Sequence, residues 1–263
     1  MSKKSPQGLD AYFERAPLVE PRRIIGRSIG EVGSGKTSWW LGATPPILVH
    51  SFDRGTEGLI QQLLTRLGLD DKEIYIKNYR KPGDQAEALD IRAEFEADFQ
   101  TFVTHTERGT SLWDKETDIY FMFRMAEFGA MNTERRDEYG LIYSRYQNLI
   151  DEIKGRHLSL GIIQGMKDGW ESYITRSGKE GGRPSGERIA AGCRRIWEWA
   201  DLDLFHERVT TEDEKTGKKT TAYTIEVGKS HQNGELQDTK YDGFTFAQLG
   251  QLLLPGSEEE EWL

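Results

Sequence analysis

The sequence predicts an α/β fold: a mainly parallel sheet flanked by helices, with a β-hairpin near the C-terminal end. Three observations predict it. Helical and strand patterns alternate through most of the 263 residues, the order that lays helices on both faces of a parallel sheet. Short apolar runs bounded by turn residues, such as ILVHSF at 47–52 and HLSLGIIQ at 157–164, read as strands. The earliest strand candidate runs straight into a glycine-rich turn, and a helical pattern opens directly behind it.

In chain order, residues 1–20 read as a loosely ordered arm ending at Pro21, and residues 22–29 as the first strand. The helix that follows begins near Lys36 and stops before Pro45 and Pro46, so it is short. After the strand at 47–52, Leu59, Leu63 and Leu67 recur at helical spacing and Gly68 ends the helix. Residues 74–76 form a short strand. Ile91, Phe95, Phe99, Phe102 and Val103 then make one stripe on a helix spanning 84–105. Leu112, Trp113 and Asp114 end another strand, and a helix carrying Ile119, Phe123 and Met125 follows. The clearest amphipathic helix runs from Tyr139 to Ile153, and the strand at 157–164 comes next. Residues 165–188 hold six glycines and little apolar content, so they read as a long loop. A hairpin follows: one strand at 202–209, a turn at 214–217, a second strand at 220–227. One domain at 21–254 and a solvated acidic tail at 255–263 complete the chain.

Composition narrows the class. The chain carries 35 Lys and Arg against 44 Asp and Glu, so 35 − 44 = −9, which argues against a field-driven nucleic-acid binder and makes any such contact local. The hydrophobic fraction is 36%, no apolar run approaches the roughly 20 residues that cross a bilayer, and the start lacks a signal-peptide stretch. Cys193 stands alone, which excludes an internal disulfide or a cysteine-based zinc site and points to the cytoplasm. The five histidines show no metal-ligand spacing. Cys193 has Arg194 and Arg195 beside it, charges of the kind that lower a thiol's pKa, but no partner base nearby, so it is given no role.

The most specific signal is Gly30-Glu31-Val32-Gly33-Ser34-Gly35-Lys36-Thr37, a complete G-x-x-x-x-G-K-[ST]. Such a turn aims backbone N–H groups, those of residues 33–37 here, at a polyphosphate, and glycines permit both the conformations and the close approach. Lys36 is expected to reach the β- and γ-phosphates of ATP, and the Thr37 hydroxyl to ligate Mg²⁺. A chance match in a chain this long is on the order of one per cent. The metal also calls for an acid at the end of a neighbouring apolar strand. Asp114 is the candidate, with capping of the next helix as its plain alternative, and Asp53 is its rival. Glu57, after the second strand, is the candidate to orient the attacking water, against an ordinary surface carboxylate. Gln164 ends its strand where an amide senses a γ-phosphate. Trp39 and Trp40 are expected to pack the short helix on the sheet.

The order GEVGSGKT, PILVHSFDRGTEG, LWD, LGIIQ and YTIEVGKSHQNG, over about residues 21–235, resembles the RecA-type branch of P-loop ATPases. More narrowly it resembles the phage-encoded RecA-like nucleotide-binding proteins that include single-strand annealing recombinases. The resemblance implies a RecA-like P-loop fold, with Glu57 as the catalytic carboxylate. Its spacing from Asp53 is longer than the family's usual Asp-x-Glu pattern. It implies ATP at the interfaces of a homo-oligomer, with Lys229 where a basic residue reaches the neighbour's nucleotide. The glycine-rich loop falls where the family contacts DNA. There Lys167, Arg176, Lys179 and Arg183 would meet phosphates of single-stranded DNA, and Trp170 and Tyr173 would stack on bases. With Arg188 the loop carries five cations against four acids, 5 − 4 = +1. The ending EEEEWL superficially resembles tails that recruit partners, and a single-strand binding protein is a further expected partner. The compartment implied is the cytoplasm of a phage-infected or prophage-carrying bacterial cell. Two other classes fit the phosphate loop: a P-loop kinase or nucleotide-handling enzyme acting on a small molecule, and a non-hydrolysing nucleotide-dependent switch or assembly factor.

Overall fold

A computed structural model describes residues 23–52, 56–69, 71–129, 139–174, 180–212 and 219–263, without the side chains of 56–59, 67, 170–174 and 180–182. The first half alternates as expected: β1 (Ile25–Ile29), α1 (Lys36–Trp40), β2 (Ile47–Ser51), α2 (Thr56–Leu67), β3 (Ile74–Asn78), α3 (Gln85–His105) and β4 (Arg108–Asp114). Two helices, α4 (Glu116–Phe128) and α5 (Tyr139–Lys154), lead to β5 (His157–Gln164). Then come β6 (Met166–Ile174), β7 (Glu180–Ala190), α6 (Ile196–Trp199), β8 (Leu202–Glu212), β9 (Lys219–Ser230), β10 (Thr239–Asp242) and α7 (Phe246–Leu253).

Eight strands form the main sheet in the order β10-β9-β8-β1-β5-β4-β2-β3. From β8 to β3 every neighbouring pair is parallel, while β9 runs antiparallel to β8 and β10. β4 and β5 lie in the middle and are buried at every residue but the first, as expected of strands covered on both faces. Their side chains alternate between two cores. Trp113, Leu160 and Ile162 pack under α3, α4 and α5 with Phe95, Phe123, Tyr146 and Ile150. Leu112 and Ile163 pack on the opposite face with Trp40, Leu63, Phe246 and Trp262. Among the described residues no helix is long and apolar enough to cross a membrane.

α1 is keyed to the sheet by one indole. A Cβ at Gly161 would come 2.6 Å from the Trp40 ring, and one at Gly26 would come 3.1 Å from it, so glycines on β5 and β1 leave the floor on which it lies. Its Nε1 donates to Ser28 Oγ at 2.9 Å. On the same strand Arg27 is tied to Asp203 of β8 by two hydrogen bonds, 2.8 Å from Nε and 2.5 Å from Nη2, both side chains almost wholly buried.

Two expectations are corrected. Within the stretch read as a long loop, residues 165–188, the described segments 166–174 and 180–190 are strands: β6 and β7 pair with each other as a separate antiparallel ribbon. None of the ribbon's described side chains joins either core. The acidic ending is not a free tail either. Trp262 is 2% exposed and packs against Phe246 and Gly250, where a Cβ would meet the indole at 2.1 Å. Thr44 Oγ1 holds the Trp262 carbonyl at 2.9 Å.

Candidate functional site

Because the strands from β8 to β3 are parallel, their carboxyl ends share one edge, with Ile29 beside Gln164 and Ser51 beside Asp114. Chain connections diverge around β1, and ligands of open α/β sheets bind in the crevice at such a point. Residues 30–37 stand there. Gly33 (φ 80°) and Gly35 (φ 88°) adopt left-handed backbone that a side chain would strain, and the turn closes through Ser34 N–H on Glu31 O at 3.2 Å. At Gly30 the constraint is space: a Cβ would lie 2.3 Å from the His206 carbonyl of β8. Val32 sits fully out at the tip, 92% exposed.

Lys36 folds back over its own loop. Its Nζ donates to Gly30 O and Glu31 O, each at 2.7 Å, and to Ser34 Oγ at 3.2 Å. Burial lowers its pKa, with Asp114 and Glu31 working the other way. A phosphate oxygen entering the loop would replace these carbonyls as acceptor. Beneath the loop His206 shares a 2.9 Å hydrogen bond with Ser28 Oγ, and burial, helped by Lys36, pushes its pKa down to about 3, so it stays neutral.

Thr37 and Asp114 meet across the intervening strand β5. Thr37 Oγ1 donates to Asp114 Oδ2 at 3.0 Å. A hydroxyl and a carboxylate are hard oxygen donors of the kind Mg²⁺ takes, with phosphate and water completing an octahedron. The residues fit the ion. Asp53 and its two successors lie outside the described residues, and Glu57 is in the first turn of α2 with its side chain outside them as well.

Gln164 is fully buried at the end of β5. Its Nε2 donates to Glu116 Oε2 at 2.8 Å and to Cys193 O at 3.3 Å, while Oε1 has no partner among the described residues. Sequence reading missed Glu116. Its carboxylate also accepts the Cys193 N–H at 3.2 Å and 3.3 Å, and burial raises its pKa to about 7 against those bonds. At Cys193 burial pushes the thiol up, with Glu116 adding to the effect, and the neighbouring Arg195 does not offset desolvation.

Glu116 gives a pH dependence of known sign. Between pH 4.5 and about 7 the folded protein holds a proton there that the unfolded chain releases, so its contribution to stability falls as pH rises through that window. Glu116→Gln should remove the fall. Urea unfolding at pH 5 and pH 8 should show the variant gaining on the parent at pH 8 by roughly 3 kcal/mol. A pH-independent difference would mean the carboxylate titrates normally.

Of the residues expected to touch DNA, Arg176 and Lys179 lie outside the described residues, and Trp170 and Tyr173 are placed in β6 by their backbone alone. Lys167 is exposed at the ribbon's base, and Arg183 is exposed on β7 opposite Glu171. Arg188, counted among the loop's cations, binds Glu31 Oε1 of the phosphate loop at 2.7 Å and Asp168 Oδ1 at 2.8 Å. Lys229 is not brought to the loop. It lies beside Asp203 toward the opposite edge of the sheet, where Nζ donates to the carbonyls of Trp197 and Ala200 and faces the Trp197 ring at 5.8 Å.

Beside the loop opens a cavity of about 600 Å³. Trp39, Tyr223, Phe244 and Phe246 give it aromatic walls, and Arg66, Lys72 and Arg208 supply cations. Trp39 is fixed there by Nε1 donating to Phe244 O at 2.8 Å, and Leu263 and Glu259 from the chain's ending join the lining. No family model matches the chain, and no curated protein matches it.

Proposed function

We propose that the chain binds ATP with Mg²⁺ and hydrolyses it, as a RecA-type ATPase acting on single-stranded DNA in phage recombination or annealing. The observation that carries this reading is the complete phosphate loop with Thr37 Oγ1 and Asp114 Oδ2 3.0 Å apart beside it. Backbone amides of residues 33–37 and Lys36 would hold the phosphates. Thr37 and Asp114 would hold the metal, whose charge offsets that developing on the phosphates. Glu57 would orient water, and Gln164, next to β1, would respond to the γ-phosphate.

The RecA-type assignment is supported by β5 lying between β1 and β4 with an amide at its end. The DNA assignment is supported by the β6–β7 ribbon that starts two residues after Gln164 and is tied to Glu31 by Arg188. The aromatic cavity suits a nucleobase. Homo-oligomerisation, with Lys229 reaching a neighbour, and engagement of a single-strand binding protein rest on the resemblance alone.

The test is ATP turnover by the purified protein with and without single-stranded DNA, with size in solution followed in the same samples. Stimulated turnover with a shift to larger species is the expected result. Binding without turnover and without response to DNA would move the function to a nucleotide-dependent switch or assembly factor. Phosphoryl transfer to a small-molecule acceptor by a monomer would make it a kinase.

A further inference from the structure

The β8–β9 hairpin turns one face toward the phosphate loop. His206 and Arg208 are alternate residues of β8, and their partners across the ladder are Ile225 and Tyr223. All four line the cavity beside the loop. They divide by depth: His206 and Ile225 are buried, whereas Arg208 and Tyr223 are exposed. A Cβ placed on Gly33 would lie 3.7 Å from Arg208 Nη1, and one on Gly35 would lie 3.1 Å from the Tyr223 ring.

Of the cavity's cations Arg66, Lys72 and Arg208, the last is the one found beside a loop glycine, Gly33. Other exposed cations around the hairpin are engaged: Arg188 with Glu31 and Asp168, Lys240 with Glu207, Lys219 with Glu212. Arg208 has no hydrogen-bond or ion-pair partner among the described residues. The acid nearest in sequence to the loop's tip, Glu31, is already held by Arg188. In a chain of net charge −9 a polyanion gains from cations gathered at its own site, because the overall field repels it. A guanidinium fork matches phosphate oxygens two at a time.

We infer that Arg208 closes on the polyphosphate of a nucleoside triphosphate held in residues 30–37 of the same chain. The hairpin is thereby part of the nucleotide site and not only an extension of the sheet. The inference rests on the nucleotide reading above. Arg208 supplies the second positive side chain, facing Lys36 across the loop's contents, and Tyr223 covers the glycine at the helix start.

Binding of MgATP and of AMP to the full chain separates the possibilities, using the parent, Arg208→Ala, Arg208→Lys and Lys36→Ala. Arg208→Ala should weaken MgATP about tenfold to thirtyfold and AMP by less than threefold, with an unchanged melting temperature, since the side chain is exposed and has no bonding partner among the described residues. Arg208→Lys should recover part of the loss, because charge returns without the fork. MgATP affinity within twofold of the parent for Arg208→Ala, alongside loss of binding in Lys36→Ala, would overturn the inference and leave the nucleotide reading standing. A parent protein that binds no nucleotide would overturn both.

Discussion

Lys36→Ala should lose at least a hundredfold in MgATP affinity, measured by titration calorimetry on the full chain. The side chain already sits within the loop, its Nζ on two carbonyls at 2.7 Å, so little reorganisation separates its resting contacts from those to a phosphate. Each hydrogen bond from an ammonium to a charged acceptor is worth about 1.5–3 kcal/mol, and two such bonds account for the hundredfold. Burial lowers the pKa of this amine, so the charge is held at a desolvation cost that a ligand phosphate relieves. Stability should move little by comparison, because the variant loses three hydrogen bonds but also sheds a cation held against desolvation. Full affinity in the variant would put the nucleotide site elsewhere.

Asp203→Ala should cost about 3–5 kcal/mol in urea unfolding. Arg27 and Asp203 are register partners on β1 and β8, joined by two bonds and shielded from water. Truncating the acid leaves a guanidinium buried without its counter-ion, and that penalty exceeds what the pair contributes over an apolar replacement. The double variant Arg27→Met/Asp203→Leu should therefore recover most of the loss. Domains are stable by about 5–15 kcal/mol, so the single variant sits near the threshold of folding at 37 °C. A loss below about 1 kcal/mol would mean that water reaches the pair.

How much of this was legible depended on what each residue packs against. The central strands and the long helices declare themselves because two cores impose their periods, and β5 was bounded correctly at both ends for that reason. The phosphate loop is a contiguous motif, so Gly30 to Thr37 could be read directly, and Asp114 was reachable from its place at the end of β4. The β6–β7 ribbon could not be read, since its strands ladder only with each other and none of its described side chains joins either core. Arg208 and Tyr223 stand 15 residues apart and become neighbours only through the hairpin register, 223 − 208 = 15. Alternation of His206 with Arg208 was the available signal, and it needed the pairing to give it meaning. Trp262 was hidden by the glutamates before it, whose charge spoke for solvent while the indole found a pocket over Gly250.

The indole of Trp40 carries a last consequence. It rests on Gly26 and Gly161, one strand apart, and α1 begins only four residues before it. The elevation of the phosphate loop above the sheet is thus set from below, like a bridge on its bearing, by glycines outside the loop. Even a methyl group at Gly161 would raise that bearing and tilt every amide of the loop together. The aim of the loop would then change through the sheet's floor while each residue of the loop itself stayed the same.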